Sequence, residues 1–598
     1  MPTLRYFFLV LFCSAAANSW AGVTPVAITG DVVPGLPEAQ YASFGNAQLN
    51  ADGKVVYSAV LQTGPGDITS SSDKVLISFD NTLTLNAQTG SGNVSGAPAT
   101  NYGSFKEFKI SSTGDVLLKA MLAETGDITG DNNRGFWRFS NGTGNLITRT
   151  GTSSASGVPS ATYYDLGAFV GMNQTGDFAF DGQLTVENGI SSNNDYGVWH
   201  YEGDTGTLIV RENSPAPDVA GGLFLGFGPP ALNTSNQMAF RATMKRGLGF
   251  TFANSNGIWL YNGGEGELLA RNGSAEVPGS TSDYAAFDDP LMNEAGQVVF
   301  RATLVTEQQG LWLYSGNAGA NLAVTNVVGI PSLPSASFSS LGNPLLVESG
   351  RVAALGTLTT GVGDVTASND TGLWLFDESN GGQLLVREGA GGVAGIPNAS
   401  FDSFEHIAAI GDTGIYLNAT LQALPGGVDS TNDEGIWRIS FDGSPELILR
   451  KGDSLAGRTI ADLWLPAGQF DEIPLTGVSN ASGELLFHAG FTNGDSGLFL
   501  YSPSTVIEFA SADFDQDGDV DSADLAVWQN AYGNNPIGDT DRDGDSDGLD
   551  FLTWQRQFTG SSALDNILAV PEPSVSLLLG IAAFCITMRT DRRTLALH

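Results

Sequence analysis

The sequence predicts an all-β chain, a β-propeller of about eight four-stranded blades, followed by a small all-α calcium-binding module and a C-terminal apolar helix. Three observations carry this reading. A tryptophan strand recurs as GFWRF (135–139), GVWHY (197–201), GIWLY (257–261), GLWLY (310–314), GLWLF (372–376) and GIWRI (435–439), flanked by the degraded copies KVLISF (74–79) and GLFLY (497–501). Each copy follows a turn and strand such as LNADGKVVYSA (49–59), MNQTGDFAFDG (172–182) or MNEAGQVVFRA (292–302), giving a period close to sixty residues. Near the end stand two twelve-residue carboxylate loops and then the apolar run VSLLLGIAAFCITM (575–588).

Taken in order, residues 1–21 combine Arg5, the apolar run YFFLVLF (6–12) and the ending Ser19-Trp20-Ala21, the pattern of a secretory signal cleaved between Ala21 and Gly22. Lipidation at Cys13 is the alternative, and bulky Phe12 in front of it disfavours that route. The only other cysteine, Cys585, lies in the C-terminal apolar run, so the body of the chain is expected to hold no disulfide and no zinc–thiolate site. Across 598 residues, 64 acidic against 26 basic side chains leave a formal charge of −38, which repels nucleic acid and anionic lipid. With 77 glycines and 15% charged residues, the composition is that of strands and tight turns.

Residues 22–509 are assigned to the propeller. In the sixth copy the strands read FSSLGNPLLV (338–347), RVAALGTL (351–358), GLWLF (372–376) and QLLVRE (383–388). Repeated antiparallel blades arranged radially suppress open sheet edges. The first hairpin carries Gly for positive φ, and Asn50, Asn173, Asn233, Asn293 and Asn480 are read as turn formers with no further role. Each Trp has apolar neighbours on both sides and is expected to pack between blades rather than stack sugars. VAITGDVVPGLPEAQYASF (26–44) parallels LVREGAGGVAGIPNASFDSF (385–404), so the N-terminus should enter as the fourth strand of the last blade, although STVIEF (504–509) competes for that slot.

The long segments, among them TGDITGDNNR (125–134), NGISSNNDY (188–196), TTGVGDVTASND (359–370) and LPGGVDSTNDE (424–434), belong with the inter-blade connectors on one face, where binding residues accumulate. Asp127, Asp131, Asp364, Asp370, Asp429 and Asp433 lack the ligand spacing of a calcium loop and are read as turn residues. Arg149, Arg211, Arg271, Arg387 and Arg450 recur after the fourth strand and are expected to pair with neighbouring carboxylates. The Asn-x-x-Gly turn followed by an apolar strand resembles bacterial exported proteins with tandem NxxGxxAF repeats over about residues 23–506. Departures from that pattern are Val347 and Gly411 at the Asn position and Asn236 at the Gly position.

Residues 510–560 carry DFDQDGDVDSAD (513–524) and DTDRDGDSDGLD (539–550), each with Asp at positions 1, 3, 5, 9 and 12 and Gly at 6. Alternating carboxylates converge on one hard cation, so about two Ca²⁺ ions are expected. A helix follows each loop, pairing Leu525 with Phe551, Trp528 with Trp554 and Tyr532 with Phe558 across a small shared core. The pair resembles a type I dockerin. That resemblance implies Asp513, Asp515, Asp517, Asp519, Asp521 and Asp524, with Asp539, Asp541, Asp543, Asp545, Asp547 and Asp550, as metal ligands, and a cohesin-like partner. After a linker (561–569), residues 570–593 hold Pro571-Glu572-Pro573, the apolar run and Arg589, Arg592 and Arg593. They resemble a PEP-CTERM sorting signal, which implies removal of the tail by an exosortase. The 14-residue run is a marginal permanent anchor, since a helix of that length spans about 21 Å.

The resulting expectation is an exported cell-surface or extracellular-matrix protein, transiently membrane-anchored, that binds a polysaccharide or protein on the long-loop face. His200, His406 and His488 fall in different repeats and His598 in the tail, so no His-based catalytic group is visible and the chain reads as more a binder than an enzyme. An extracellular polysaccharide-degrading enzyme, hydrolase or lyase, with a docking tag is the competing expectation. Acids with shifted titration around the central channel would favour the enzyme, and a channel of small and apolar residues would favour binding.

Overall fold

A computed structural model describes residues 22–503 apart from 168–169, 248, 275–276, 379–380, 392, 397, 424–426 and 467–476, and then 512, 514, 520, 522–533, 540 and 546–558. The chain divides into two compact units, Met1–Pro503 and Ser504–His598.

The first unit is an eight-bladed β-propeller. Eight antiparallel sheets succeed one another, each running from an inner strand outward in chain order. The first blade consists of Leu36–Leu49, Val55–Leu61, Lys74–Asp80 and Thr82–Gln88, and the second of Ala97–Ile110, Val116–Leu122, Arg134–Ser140 and Thr143–Arg149. In the eighth, Arg458–Trp464, Leu485–Phe491 and Ser496–Tyr501 are completed by Val23–Ile28, paired from Val23↔Tyr501 to Ile28↔Gly497. The N-terminus therefore closes the ring as a fourth strand, as the repeat offset implies. The competing segment 504–509 lies outside the described residues.

The G-x-W motif follows from packing. Trp137, Trp199, Trp259, Trp312, Trp374 and Trp437 are all fully buried. Each meets an inner-strand aromatic edge-on, as in Tyr102–Trp137 at 5.2 Å and 84°, Tyr284–Trp312 at 4.9 Å and 78°, and Phe401–Trp437 at 5.1 Å and 84°. The indole folds back over the glycine two residues earlier, where a Cβ on Gly310 or Gly372 would lie 2.5 or 2.6 Å from the ring. At each Trp the register with the outer strand also shifts, for example between Phe136 and Trp137 and between Leu311 and Trp312, adding the twist that a blade needs. The core lies between blades: Val56 and Leu76 of the first share a cluster with Val116, Leu118 and Trp137 of the second. The tryptophans thus pack between blades as expected, each worth about 1.5–3 kcal/mol of burial.

The long loops are closed locally. Asn132, Asn194, Asn254, Asn369 and Asn432 each accept, through Oδ1, the N–H three residues earlier at 2.7–2.9 Å. Asn132 and Asn369 also donate to the carbonyls of Asp127 and Asp364, so these aspartates are turn residues. The recurrent arginines act differently from the expected ion pairs. Arg271, Arg387 and Arg450 donate to the loop carbonyls of Asn254, Asn369 and Asn432, pinning the loops, and Arg387 adds a carboxylate, Asp364 at 3.3 Å.

The second unit contains α1 (Ser522–Ala531) and α2 (Gly548–Gln557). Their aromatics form one continuous contact series: Tyr532–Trp528 at 5.1 Å, Trp528–Phe551 at 4.9 Å, Phe551–Trp554 at 5.6 Å and Trp554–Phe558 at 5.1 Å. Two expectations are corrected here. Among the described residues no group of three or more His, Cys, Asp or Glu is placed to hold a metal ion, which argues against bound Ca²⁺. Asp524 and Asp550 are buried and turn to the backbone instead: Asp524 Oδ1 accepts Phe514 N–H at 2.6 Å, and Asp550 accepts the N–H groups of Thr540 and Asp547, each at 2.7 Å. Asp513, Asp515, Asp517, Asp519, Asp521, Asp539, Asp541, Asp543 and Asp545 lie outside the described residues. The expected membrane-anchoring helix is corrected as well. Among the described residues no helix is long and apolar enough to cross a membrane, α1 and α2 having 10 residues each. The apolar run 575–588, Pro571-Glu572-Pro573 and residues 1–21 with Ala21 lie outside the described residues, while Gly22 directly precedes the closing strand.

Candidate functional site

The inner strands run down to hairpin turns that surround a central channel. Its lower part, of about 540 Å³, takes lining residues from all eight blades, including Gln48, Lys109, Gly171, Ala231, Leu291, Leu346, Ala409 and Ser479. Small and apolar side chains dominate, and Lys109 is paired with Glu107 at 3.6 Å.

Around this channel the turn asparagines do more than shape their own hairpins. Asn50 Oδ1 accepts the N–H groups of Asp52 and Lys54 at 3.0 and 2.8 Å, while its Nδ2 donates across to Ser111 O at 2.7 Å and Ser112 O at 3.0 Å in the next blade. Asn173 donates to Asn233 O at 3.1 Å, Asn233 to Asn293 O at 3.4 Å, Asn293 to Val347 O at 3.2 Å, and Asn480 to Asn50 O at 3.1 Å across the closure. The departures Val347 and Gly411 are bridged by a neighbour, Ser349 N–H donating to Asp412 Oδ1 at 2.8 Å. The sequence reading missed this girdle because a turn-forming Asn and a blade-linking Asn have the same signature.

A second inter-blade layer lies higher, where the inner strands are bulged, for example between Phe44 and Ala47, Phe105 and Glu107, and Phe404 and His406. The middle of each second strand offers a variable residue there: Ser58, Lys119, Asp181, Arg241, Arg301, Leu355, Asn418 and His488. Several reach the next blade's inner strand: Lys119 Nζ donates to Gly167 O, Arg241 pairs with Asp289 at 2.9 Å, and His488 Nε2 meets Gly45 O at 3.2 Å. Burial pushes the imidazole of His488 down to about 4, so it is neutral.

The junction of blades seven and eight holds a buried polar cluster. Asn418 is fully buried and donates to Gly435 O at 3.2 Å and Leu463 O at 3.5 Å. Beside it stands Glu434, whose carboxyl is pushed up to about 7 by burial and by the charge of Glu405, against the hydrogen bond from Asn418. The adjoining inner-strand residue Trp464 is 38% exposed and lies parallel to His488, centroids 5.2 Å apart at 16°. An acid titrating near neutrality can exchange a proton with a bound group, and the half-exposed indole of Trp464, the residue after Leu463, offers a ring face on the neighbouring strand. His406 is on the same inner strand as Glu405, whereas His200 is far along the ring in the third blade.

A further pocket of about 430 Å³ between blades three and four contains Asp195, Tyr196, Glu212 and Arg241. Its charges are satisfied internally: Gln183 donates to Asp195 at 2.8 Å, Lys245 pairs with Glu212 at 3.3 Å, and Arg241 turns to Asp289.

Comparison with solved structures finds similarities at very low identity. The Dos1 propeller is 9% identical with a TM-score of 0.35, covering 77% of this chain and 93% of its own. The polysaccharide lyase Uly1 is 10% identical with a TM-score of 0.32, covering 80% and 98%. A puromycin-hydrolyzing peptidase of Mycobacterium tuberculosis is 10% identical with a TM-score of 0.33, covering 79% of this chain and 61% of its own. No curated protein matches the sequence. A family model does match, over residues 15–199, 108–326 and 305–512, which together span most of the chain, and the protein therefore belongs to the family of unknown function DUF7453.

Proposed function

We propose that the protein is a non-catalytic binding or scaffolding protein whose partner-facing side is the long-loop face of the propeller. One observation carries this reading. The exposed large apolar side chains of the described propeller are Val32, Tyr164, Val186, Leu225, Phe252, Val305, Val327, Val328, Val362 and Trp464. Seven lie between the second and third strands of a blade or in inter-blade connectors, three (Tyr164, Leu225 and Trp464) on inner strands, and none in the hairpin turns of the opposite face. Apolar exposure confined to one face is the mark of an interaction surface. By its resemblance to a dockerin, the helical pair supplies a second attachment point on this reading.

The competing reading, an enzyme acting on polysaccharide, is favoured by Glu434, Glu405 and Trp464 at the junction of blades seven and eight. One experiment separates the two. The protein is immobilised and offered extracellular polysaccharides and surface proteins of the cells that make it, and both retention and release of reducing ends are measured. Retention without turnover is expected, lost in Phe252→Asp and kept in the turn-face control Thr82→Asp. Turnover abolished by Glu434→Gln would instead establish the enzyme, and retention lost equally in both surface variants would remove the assignment of the face.

A further inference from the structure

Six blades share a device in their long loops. Ile68, Ile128, Ile190, Phe250, Val365 and Val428 fold inward from the loop onto the connector that precedes their blade. Ile190 packs in one cluster with Ala155 and Val158, Val365 with Ile330 and Ala336, and Val428 with Val393 and Ile396. Each wedge is a polypeptide turn presenting one aliphatic or aromatic side chain. The turns following Val365 and Val428 are closed by Asn369 and Asn432.

Blades five and eight lack the loop. Their second and third strands, Gln297–Leu304 with Gln309–Ser315 and Leu485–Phe491 with Ser496–Tyr501, are joined by short turns. Blade eight closes the resulting gap with its own side chains: Arg458 pairs with Asp495 at 3.0 Å and lies over the ring of Phe491 at 5.8 Å. Blade five leaves it open. A cavity of about 440 Å³ lies between this short turn and blade six, walled by Leu304 and Gln308 of blade five, Ser280 of the connector before it, and Val327, Ile330 and Phe338 of the connector and inner strand of blade six. Beside it Val305, Val327 and Val328 are exposed by 65, 53 and 69%.

We infer that the groove over blade five is a docking site for a protein partner, which inserts a tight turn bearing a β-branched aliphatic side chain and so supplies in trans the wedge that six loops supply in cis. This rests on the assignment of the long-loop face as the partner face and names the partner's chemistry. The occupants of the sibling grooves are all polypeptide turns, which argues for a protein over a saccharide. At a net charge of −38, a second copy of this chain would be repelled, so the partner is a different protein.

The test uses the full-length protein and a fluorescein-labelled cyclic peptide with the sequence of this chain's own loop, residues 359–370. Fluorescence anisotropy should show saturable binding. A peptide carrying Val365→Asp should bind at least about tenfold more weakly, as should the wild-type peptide to a Val327→Asp protein, because a buried aliphatic side chain is worth at least that factor. Val327 is exposed, so its variant should unfold at the wild-type temperature. As a second variant, replacing Val305–Gln308 by residues 359–370 should fill the groove in cis and block the peptide. Equal binding of the two peptides, or undiminished binding to both protein variants, would overturn the inference. So would uptake of a small apolar dye that the peptide fails to displace, which would mark a small-molecule cavity. If Val327→Asp keeps a natural partner that Phe252→Asp loses, the groove is wrong while the face remains right.

Discussion

Replacing Asn50 by Asp separates the two jobs of the turn asparagine. Aspartate keeps the Oδ1 acceptor for the N–H groups of Asp52 and Lys54 but removes the Nδ2 donor that reaches Ser111 O at 2.7 Å and Ser112 O at 3.0 Å. Asn50 is 6% exposed, so the carbonyl of Ser111 loses its inter-blade partner, and a carboxylate oxygen is set against it. Ser111 O keeps its own hairpin bond from Gly114 N–H at 3.0 Å, so the loss is that of the inter-blade bond, about 0.5–1.5 kcal/mol, together with the cost of a carboxylate facing a carbonyl. Asn50→Ala loses the turn acceptor as well and should fall further, by about 2–4 kcal/mol in all. Guanidinium unfolding followed by tryptophan fluorescence reads both, with Asn326→Asp, an exposed connector residue, as control. If Asn50→Asp is as stable as wild type while Asn50→Ala is not, the asparagine serves its own hairpin alone and the girdle contributes nothing.

Three other outcomes are expected. Gly310→Ala should destabilise by about 1–3 kcal/mol, because its Cβ would sit 2.5 Å from the Trp312 ring, and calorimetry reads the loss. His488 is buried neutral with its pKa lowered from 6.5 to about 4, so stability is fully present above pH 6.5 and declines as the pH falls toward 4, by up to about 3 kcal/mol; His488→Gln should flatten that part of the pH–stability curve. Glu434 has the opposite sign: with its pKa raised from 4.5 to about 7, its contribution declines as the pH rises through that window, and Glu434→Gln should gain on wild type above pH 7 in the same measurement.

Much of the ring was legible because its determinants are local and repeated. The tryptophan strand, the Gly before it and the turn asparagine each recur with the blade, and the offset between residues 26–44 and 385–404 was enough to place the N-terminus beside Ser496–Tyr501. What escaped depends on neighbouring blades. Nothing in the spacing tells that Asn418, Glu434 and Leu463 meet, since they come from three strands of two blades. The arginines after the fourth strands look in sequence like partners of carboxylates, yet in Arg271 and Arg450 the guanidinium reaches a loop carbonyl, a group that carries no side-chain signature. In the carboxylate loops the last aspartates, Asp524 and Asp550, stand in the first turn of each helix and accept backbone N–H groups, a role that an aspartate at that position does not announce in sequence.

The closing strand also sets a timetable. Ile28 cannot meet Gly497 until almost the whole propeller has been made. At about 5–20 residues per second of synthesis, that delay is roughly half a minute to a minute and a half. During that interval Val23–Ile28 has no sheet to join, and seven blades can assemble while the eighth still lacks its outer strand. An unpaired sheet edge invites pairing with another chain, so nascent copies emerging side by side are prone to exchange this strand. Ring closure, the most non-local contact in the molecule, is thus expected to be the slow step of its maturation and the point at which crowding of newborn chains does most harm.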